Sequence, residues 1–346
     1  MTRRIDLRSD IVSTPTSSMI EAMAAAARRP RGFGMREDAD QQELEALAAD
    51  IMGMEDALFF PTCTMANQAA LMLRCPPGAY VLADRTAHLC GVEGSSTAGI
   101  AGAPVLGLDG VRGHLTPQQV SATLDQPRQE TQMPIGLVWL ENTHNVAGGT
   151  VMPTEDFAAV IGIAGSRSVP VHVDGARIWN AAAFHGVSPA KLVAGANSVA
   201  FSLNKVLAAP LGAMLVGSRA FVADALRVRN MLGGGWRPAG ILAAAGVVAL
   251  KERQARVADD HRRAARLADA LIGLGWLRID RERVQTNIVV AHPDGFPGSA
   301  PGLIAALRER GVLVTPHGTG NIRMVLHGDI DDDAIEAAVE VFRGLQ

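Results

Sequence analysis

The sequence predicts an α/β fold: a large, mainly parallel sheet with helices on both faces, then a smaller C-terminal α+β domain. Three observations predict it. Short, near-continuous apolar runs alternate with helical patterns through the first two thirds of the chain, as strands buried on both faces do. Polar residues gather where those runs end: Thr62 and Thr64, His88, Glu141 to His144, Asp174 and Lys205. In open α/β sheets the ligand sits beyond the carboxyl ends of the strands. After about Arg237 the pattern changes to long Ala-rich helices and shorter strands. The expected division is 1–240, with the N-terminal segment 1–16 attached to it, and 241–346 as linking helix plus small domain.

The elements follow in order. Ile5 to Val12 is extended, and a helix from about Ser17 to Ala27 is capped by Ser17 or Ser18. Arg28 to Asp38 is a loop rich in Gly, Pro and Arg. A second helix spans roughly Asp40 to Met52, with Leu44, Leu47, Ala48 and Ile51 on one face. Strands are expected at 57–60, 80–83, 104–107, 135–140, 169–173, 199–203 and 211–217. Thr116 followed by Pro117 marks a helix start. Beyond Pro238 come two helical stretches, to Lys251 and from Arg253 to Leu274. Strands near 277–280, 286–291, 312–315 and 320–327 and a closing helix, Asp332 to Leu345, complete the chain.

Composition narrows the function. Apolar residues make up 48% of the 346, ample for a core, and the net charge is −3. That balance gives no basic footprint for nucleic acid. No run reaches the ~18 apolar residues of a membrane span. The start, Met1 to Arg8, turns charged again before a signal-peptide core forms. Cys63, Cys75 and Cys90 are an odd number without CxxC spacing, which fits a reducing cytoplasm and no metal site. A soluble, cytoplasmic globular protein is the expectation.

The chain has three lysines, Lys191, Lys205 and Lys251. The first and last read as solvated helix residues. Lys205 closes an apolar run and precedes an apolar turn, where desolvation makes an amine nucleophilic. Asp174 closes another buried run and suits the ring nitrogen of a pyridine cofactor, pyridoxal phosphate (PLP), with Lys205 as its covalent anchor. As a bare strand-end residue, each is equally a solvated lysine or a helix-capping aspartate. Thr62-Cys63-Thr64 joins a strand to a helix and offers free amides to a phosphate, or a plain threonine cap. His88 and His144 are candidate stacking or basic groups, or satisfied core histidines. Arg177 and Arg323 are candidate carboxylate ligands.

Taken together the motifs carry a resemblance. Asp6-Leu7-Arg8-Ser9-Asp10, Pro15-Thr16 with Met19, and the run from Ala57 to Met65 come first. Ala87-His88, Glu141 to Asn145, His172 with Asp174 to Arg177, Lys205, Gly233 to Arg237 and Ala243 to Gly246 follow in order. This set resembles the low-specificity L-threonine aldolase family of fold-type-I PLP enzymes. The resemblance implies that fold, and Lys205 as covalent anchor. It also implies Asp174 on the ring nitrogen, His88 on the ring face, and Thr64 with the amides around Cys63 on the phosphate. Ser9, Arg177 and Arg323 would hold the substrate carboxylate, with Arg177 also bordering the cofactor. His144 would lie near the β-hydroxyl, and Arg237 near a neighbouring subunit's site. The implied assembly is a homodimer or homotetramer, and the implied reaction is cleavage of a β-hydroxy-α-amino acid to glycine and an aldehyde. Another PLP-dependent lyase, a transaldolase, a racemase or an aminotransferase is the alternative. Cys63 and Ala66 replace family glycines, Asn204 replaces a serine, and Val206 and Ala208 replace glycines beside Lys205. Phe33, Val92 and Asn230 also depart from the pattern.

Overall fold

The computed structural model describes residues 4–30 and 32–345. Met1 to Arg3, Arg31 and Gln346, on which parts of the leader and loop readings fall, lie outside the described residues. The strands are β1 (Ile5–Asp6), β2 (Asp56–Phe60), β3 (Tyr80–Asp84), β4 (Val105–Leu108), β5 (Ile135–Glu141), β6 (Val171–Asp174), β7 (Ser198–Ser202) and β8 (Ala213–Gly217). In the C-terminal part they are β9 (Leu277–Arg278), β10 (Ile288–Pro293), β11 (Val312–Leu313), β12 (Thr315–His317) and β13 (Asn321–Val325).

Seven strands form the large sheet in the order β2-β8-β7-β6-β5-β3-β4. The pairs from β4 through β7 are parallel, while β8 runs antiparallel to both β7 and β2. Six strands therefore end on one edge, at Phe60, Asp84, Leu108, Glu141, Asp174 and Ser202. Register sets Glu141 beside Asp174 and Asp174 beside Ala200. The central strands are buried at every position but Gly136, as continuous Val, Leu, Ile and Ala runs require.

Local signals place the helices. Thr62 caps the helix Cys63–Arg74 by accepting from the Met65 amide. Thr116 and Gln119 form a reciprocal capping box ahead of Pro117–Asp125. The cap of the helix Ser17–Ala27 is Thr16, one residue before the expected serines, because its hydroxyl meets the Met19 amide. Asp38 caps Ala39–Met52, and Gly53 ends that helix at φ +64°.

Two apolar cores result. One lies around the large sheet and includes the helix Gly240–Glu252, through Ala243, Val247 and Leu250. The other lies under the antiparallel sheet β12-β13-β10-β9 and the helices Val257–Ile272, Ser299–Glu309 and Asp332–Arg343. The N-terminal segment packs on the small sheet. β1 pairs parallel with β11, and Ile5 and Leu7 are buried in the second core. The Val325 amide donates to Leu7 O and Asp329 accepts from Thr14, so this segment is strapped to the small sheet. It carries Ser9 and Asp10 to the edge where the large-sheet strands end. No helix among the described residues is long and apolar enough to cross a membrane.

Candidate active site

Asp174 ends β6 and is almost wholly buried. Its Oδ1 accepts from the Ala176 amide at 3.0 Å and its Oδ2 from Asn67 Nδ2 at 3.0 Å. The same Asn67 nitrogen lies 3.2 and 3.3 Å from the two oxygens of Glu93. Asn67 Oδ1 is 3.3 Å from His172 Nε2, and His172 Nδ1 is 2.9 Å from Ser198 Oγ. An amide oxygen only accepts, so the His172 proton sits on Nε2 and Nδ1 accepts from serine. Burial, with the charge of Arg74, pushes the His172 pKa down to about 3, so the ring is neutral. A chain of four polar side chains thus fixes the orientation of Asp174 from below.

Burial pushes the Asp174 pKa up to about 6, with Glu141 and Glu93 adding to it, while His88 and Lys205 oppose the rise. A carboxylate in this position is short of positive charge, which a protonated ring nitrogen supplies.

His88 follows β3. Its backbone N–H donates to Glu141 Oε2 at 2.6 Å and its Nδ1 lies 3.1 Å from Glu93 Oε1. Burial lowers its pKa, but Glu93, Asp174 and Glu141 outweigh burial and leave it raised. Glu141 Oε1 also accepts from the Asn145 amide at 2.8 Å, so one carboxylate holds two loops. His144 is enclosed: it is 0% exposed, with Nδ1 accepting from Ala147 N at 3.1 Å and Nε2 3.3 Å from Asp84 Oδ1. Gly113, at φ +83°, gives it room, since a Cβ there would come within 2.5 Å of the ring. The structure keeps His144 in a protein-lined layer and leaves His88 partly exposed.

Lys205 stands in the turn after β7, followed by buried Val206, Leu207, Ala208 and Ala209. Ala208, where the family pattern has glycine, holds φ +57°. The charge of Lys205 acts on Asp174, Cys63 and Asp10. Lys251, by contrast, pairs with Glu43 at 2.7 Å on the surface. Burial and the nearby Asp174 push the Cys63 thiol well up, with Glu93 adding, so it is neutral and unreactive. The first amides of a helix have no intrahelical acceptor. Thr62 takes those of Met65 and Ala66, leaving those of Cys63 and Thr64 directed out of the helix start. The Thr64 hydroxyl also reaches Glu93.

Arg177 gives Nε and Nη2 to Asp10 at 2.7 and 2.8 Å, in a fully buried bidentate pair. Its Nη1 reaches Asn145 Oδ1 at 3.2 Å, and Arg323 Nη1 reaches the same oxygen at 3.0 Å. Arg323 Nε is buried without a partner among the described residues. Two guanidinium groups converging on one amide oxygen, one with a free donor, fit a carboxylate. Ser9 Oγ lies 3.4 Å from Asp10 and accepts from the Ile11 amide. Arg237 stands apart from this group: it donates to Phe33 O at 3.1 Å and lies over the exposed Phe33 ring.

The residues present fit pyridoxal phosphate: a buried carboxylate short of positive charge, a lysine beside it, and a helix start with free amides. The beta-eliminating lyase family model matches residues 6–293. The chain belongs to the beta-eliminating lyase family. It is 36% identical over 344 residues to a probable low-specificity L-threonine aldolase 2 of Arabidopsis thaliana, covering 98% of this chain and 96% of that protein. It is 34% identical over 343 residues to the low specificity L-threonine aldolase of Escherichia coli K12, covering 96% of each. The solved threonine aldolase of Leishmania major superposes with a TM-score of 0.85 at 17% identity, covering 99% of this chain and all of that one, a likeness of fold. The family enzyme thus has the fold-type-I architecture expected from its sequence.

Asn67, Glu93 and Asp10 escaped the sequence reading as site residues. Asn67 had a signal, lying three residues after Thr64 and so on the same helix face. Asp10 had one too, beside Ser9. Glu93 had none, because only the fold of the 84–93 loop turns it under His88.

Proposed function

We propose that this family enzyme cleaves an L-β-hydroxy-α-amino acid, of the L-threonine or L-allo-threonine type or bulkier, to glycine and an aldehyde. Pyridoxal phosphate is its cofactor. The observation that carries the reading is that the charge of Lys205 reaches both the buried Asp174 and Asp10, the partner of the Arg177 that Asn145 joins to Arg323. Lys205 would anchor the cofactor, Asp174 would meet its ring nitrogen, and the Cys63 and Thr64 amides would meet its phosphate. When bound, the cofactor supplies an electron sink for the bonding pair released as Cα–Cβ breaks.

The chain's own residues do the rest. Arg323, through Nε, receives the substrate carboxylate, and Arg177 is held to the same place by Asp10, with Ser9 alongside. That grip orients the amino acid so that the β-substituent faces His88. His88, partly exposed, is the side chain we assign to accept the β-hydroxyl proton, directly or through a water. His144 lies behind it, supported by Asp84, and shapes the pocket that receives the hydroxyl. Asp174, turned by Asn67 and His172, keeps the cofactor ring protonated.

The exposed Phe33, Val92 and Met231 support a homodimer or homotetramer, with Arg237 and Phe33 against a neighbouring site. Three free cysteines support a cytoplasmic location. The deciding assay incubates the purified protein with threonine, allo-threonine, phenylserine and serine. Equimolar glycine and aldehyde are expected; ammonia with an oxo acid would replace aldol cleavage by elimination. Lys205→Ala should lose both the yellow colour of the bound cofactor and turnover.

A further inference from the structure

The sheet β12-β13-β10-β9 has helices on one face only. Part of its other face is covered by the large-domain loop that follows Asn145: Gly148 lies against Val290 and Gly149 against Ile288. Beyond that cover the face is open, and a cavity of about 530 Å³ lies between the loop and the sheet. This is the size of a small-molecule site. Its floor is apolar, with Val284, Ile288 and Val290, and its mouth carries Arg278 and Arg283. Alternation along β13 puts Asn321 in the cavity on the same face as Arg323, two residues on.

The charge of the lining is lopsided. Among its residues, Asp280 is the sole acid against two arginines and two histidines, His292 and His317. Arg283 lies 3.1 Å from Asp280 and Arg278 lies 3.3 Å from Asp294, both pairs half-exposed or more. Exposed pairs of this kind are weak, so either guanidinium can turn onto an incoming anion. The cavity is also tied to the substrate grip. His317 Nε2 is 2.9 Å from Val146 O, and Val146 follows Asn145, whose side chain joins Arg177 to Arg323.

We propose that this interdomain cavity is a second binding site, for a small carboxylate with an aromatic or branched apolar body, and that its occupation alters the grip on the amino-acid carboxylate. The carboxylate meets Arg278 and Arg283 at the mouth, and the apolar body lies on Val290 and Ile288. A ligand wedged under Val146 fixes the loop that positions Asn145, so the two sites are linked, and linkage is reciprocal. The linkage half rests on the assignment of Arg177 and Arg323 to the substrate carboxylate; the binding half does not.

The test is calorimetry of the cofactor-loaded protein with 3-phenylpropionate, and with its uncharged amide as control. One equivalent per chain is expected, retained when glycine is saturating, with no heat from the amide. The double variant Arg278→Gln/Arg283→Gln should weaken binding about tenfold, the effect of losing a charged hydrogen bond. Val290→Trp, with folding checked by circular dichroism, should abolish it by filling the cavity. Glycine affinity should shift about fivefold when the probe is bound. Binding that glycine displaces and that the variants leave intact would put the probe on Arg323 and overturn the proposal, as would absence of binding at millimolar probe. Unchanged glycine affinity overturns the linkage. None of these readouts needs turnover, so failure of the aldol reading is seen separately.

Discussion

Asn67 serves two carboxylates and one imidazole with a single amide, and one of those carboxylates is Asp174, the proposed partner of the cofactor. Replacing Asn67 with Ala leaves Asp174 without its Oδ2 donor and His172 without its acceptor. Cofactor affinity should fall about tenfold, read by fluorescence titration of the apoprotein, since a charged hydrogen bond is lost inside the protein. An unaltered affinity would mean the Ala176 amide alone suffices. Asp10 is the second case. Its pKa is drawn down to about 2 because Arg177, with Lys205 and Asn287, outweighs burial. A depressed acid contributes stability that is full above its unfolded value of 3.8 and is lost as pH falls through about 2. Asp10→Asn leaves the buried guanidinium uncompensated, so denaturant unfolding should show a loss of about 3–5 kcal/mol. His88 is the third. Its pKa is raised above 6.5 by its acidic neighbours. A base must be neutral, so kcat/KM should climb with pH through a step above 6.5 that His88→Asn removes. A step that persists in the variant assigns it elsewhere.

At the scale of elements, strand ends and caps decide where these side chains stand. The parallel strands stop together, and register brings Glu141 level with Asp174. The helix Cys63–Arg74 starts where β2 ends, so its free amides point to the same edge as the lysine turn. Caps elsewhere contribute stability alone. Thr116→Ala should lower stability by about 1 kcal/mol in a denaturant melt while leaving whatever turnover the protein has unchanged, because its capping box involves none of the candidate site residues. Most of these element signals were legible in the sequence: Thr-Pro at a helix start and apolar strands. The Thr16 cap was missed by one residue because neighbouring hydroxyls are equivalent until the backbone chooses one. The lysine turn was legible as apolar, but not that Ala208 would take a left-handed conformation there.

The whole molecule joins two cores with a chain that crosses between them twice, first at the N-terminal strap and again after the helix Gly240–Glu252. The strap brings Asp10 to Arg177 across 167 positions of sequence, and Asn145 brings Arg177 to Arg323. Both the domain contact and the proposed carboxylate grip run through the same few hydrogen bonds. Phe33, 85% accessible, and Val92, 75%, are large apolar side chains with no cover in one chain. Sedimentation of the cofactor-loaded protein should therefore show a dimer or larger, and Phe33→Asp should shift it toward monomer. A monomer at every concentration would remove Arg237 from any neighbouring site.

By itself the sequence determined the class of fold and the family, and narrowed the proposed anchor to one lysine. Apolar periodicity, strand-end polarity and ordered motifs are local properties, and with three lysines the choice is narrow. It could not determine which charges meet. Asp10 with Arg177, Asn67 with Asp174 and Glu93, and His144 enclosed while His88 stays open are contacts between segments far apart in the chain. Such pairings depend on how strands order and which face a loop turns inward, and that is settled only when the two cores pack.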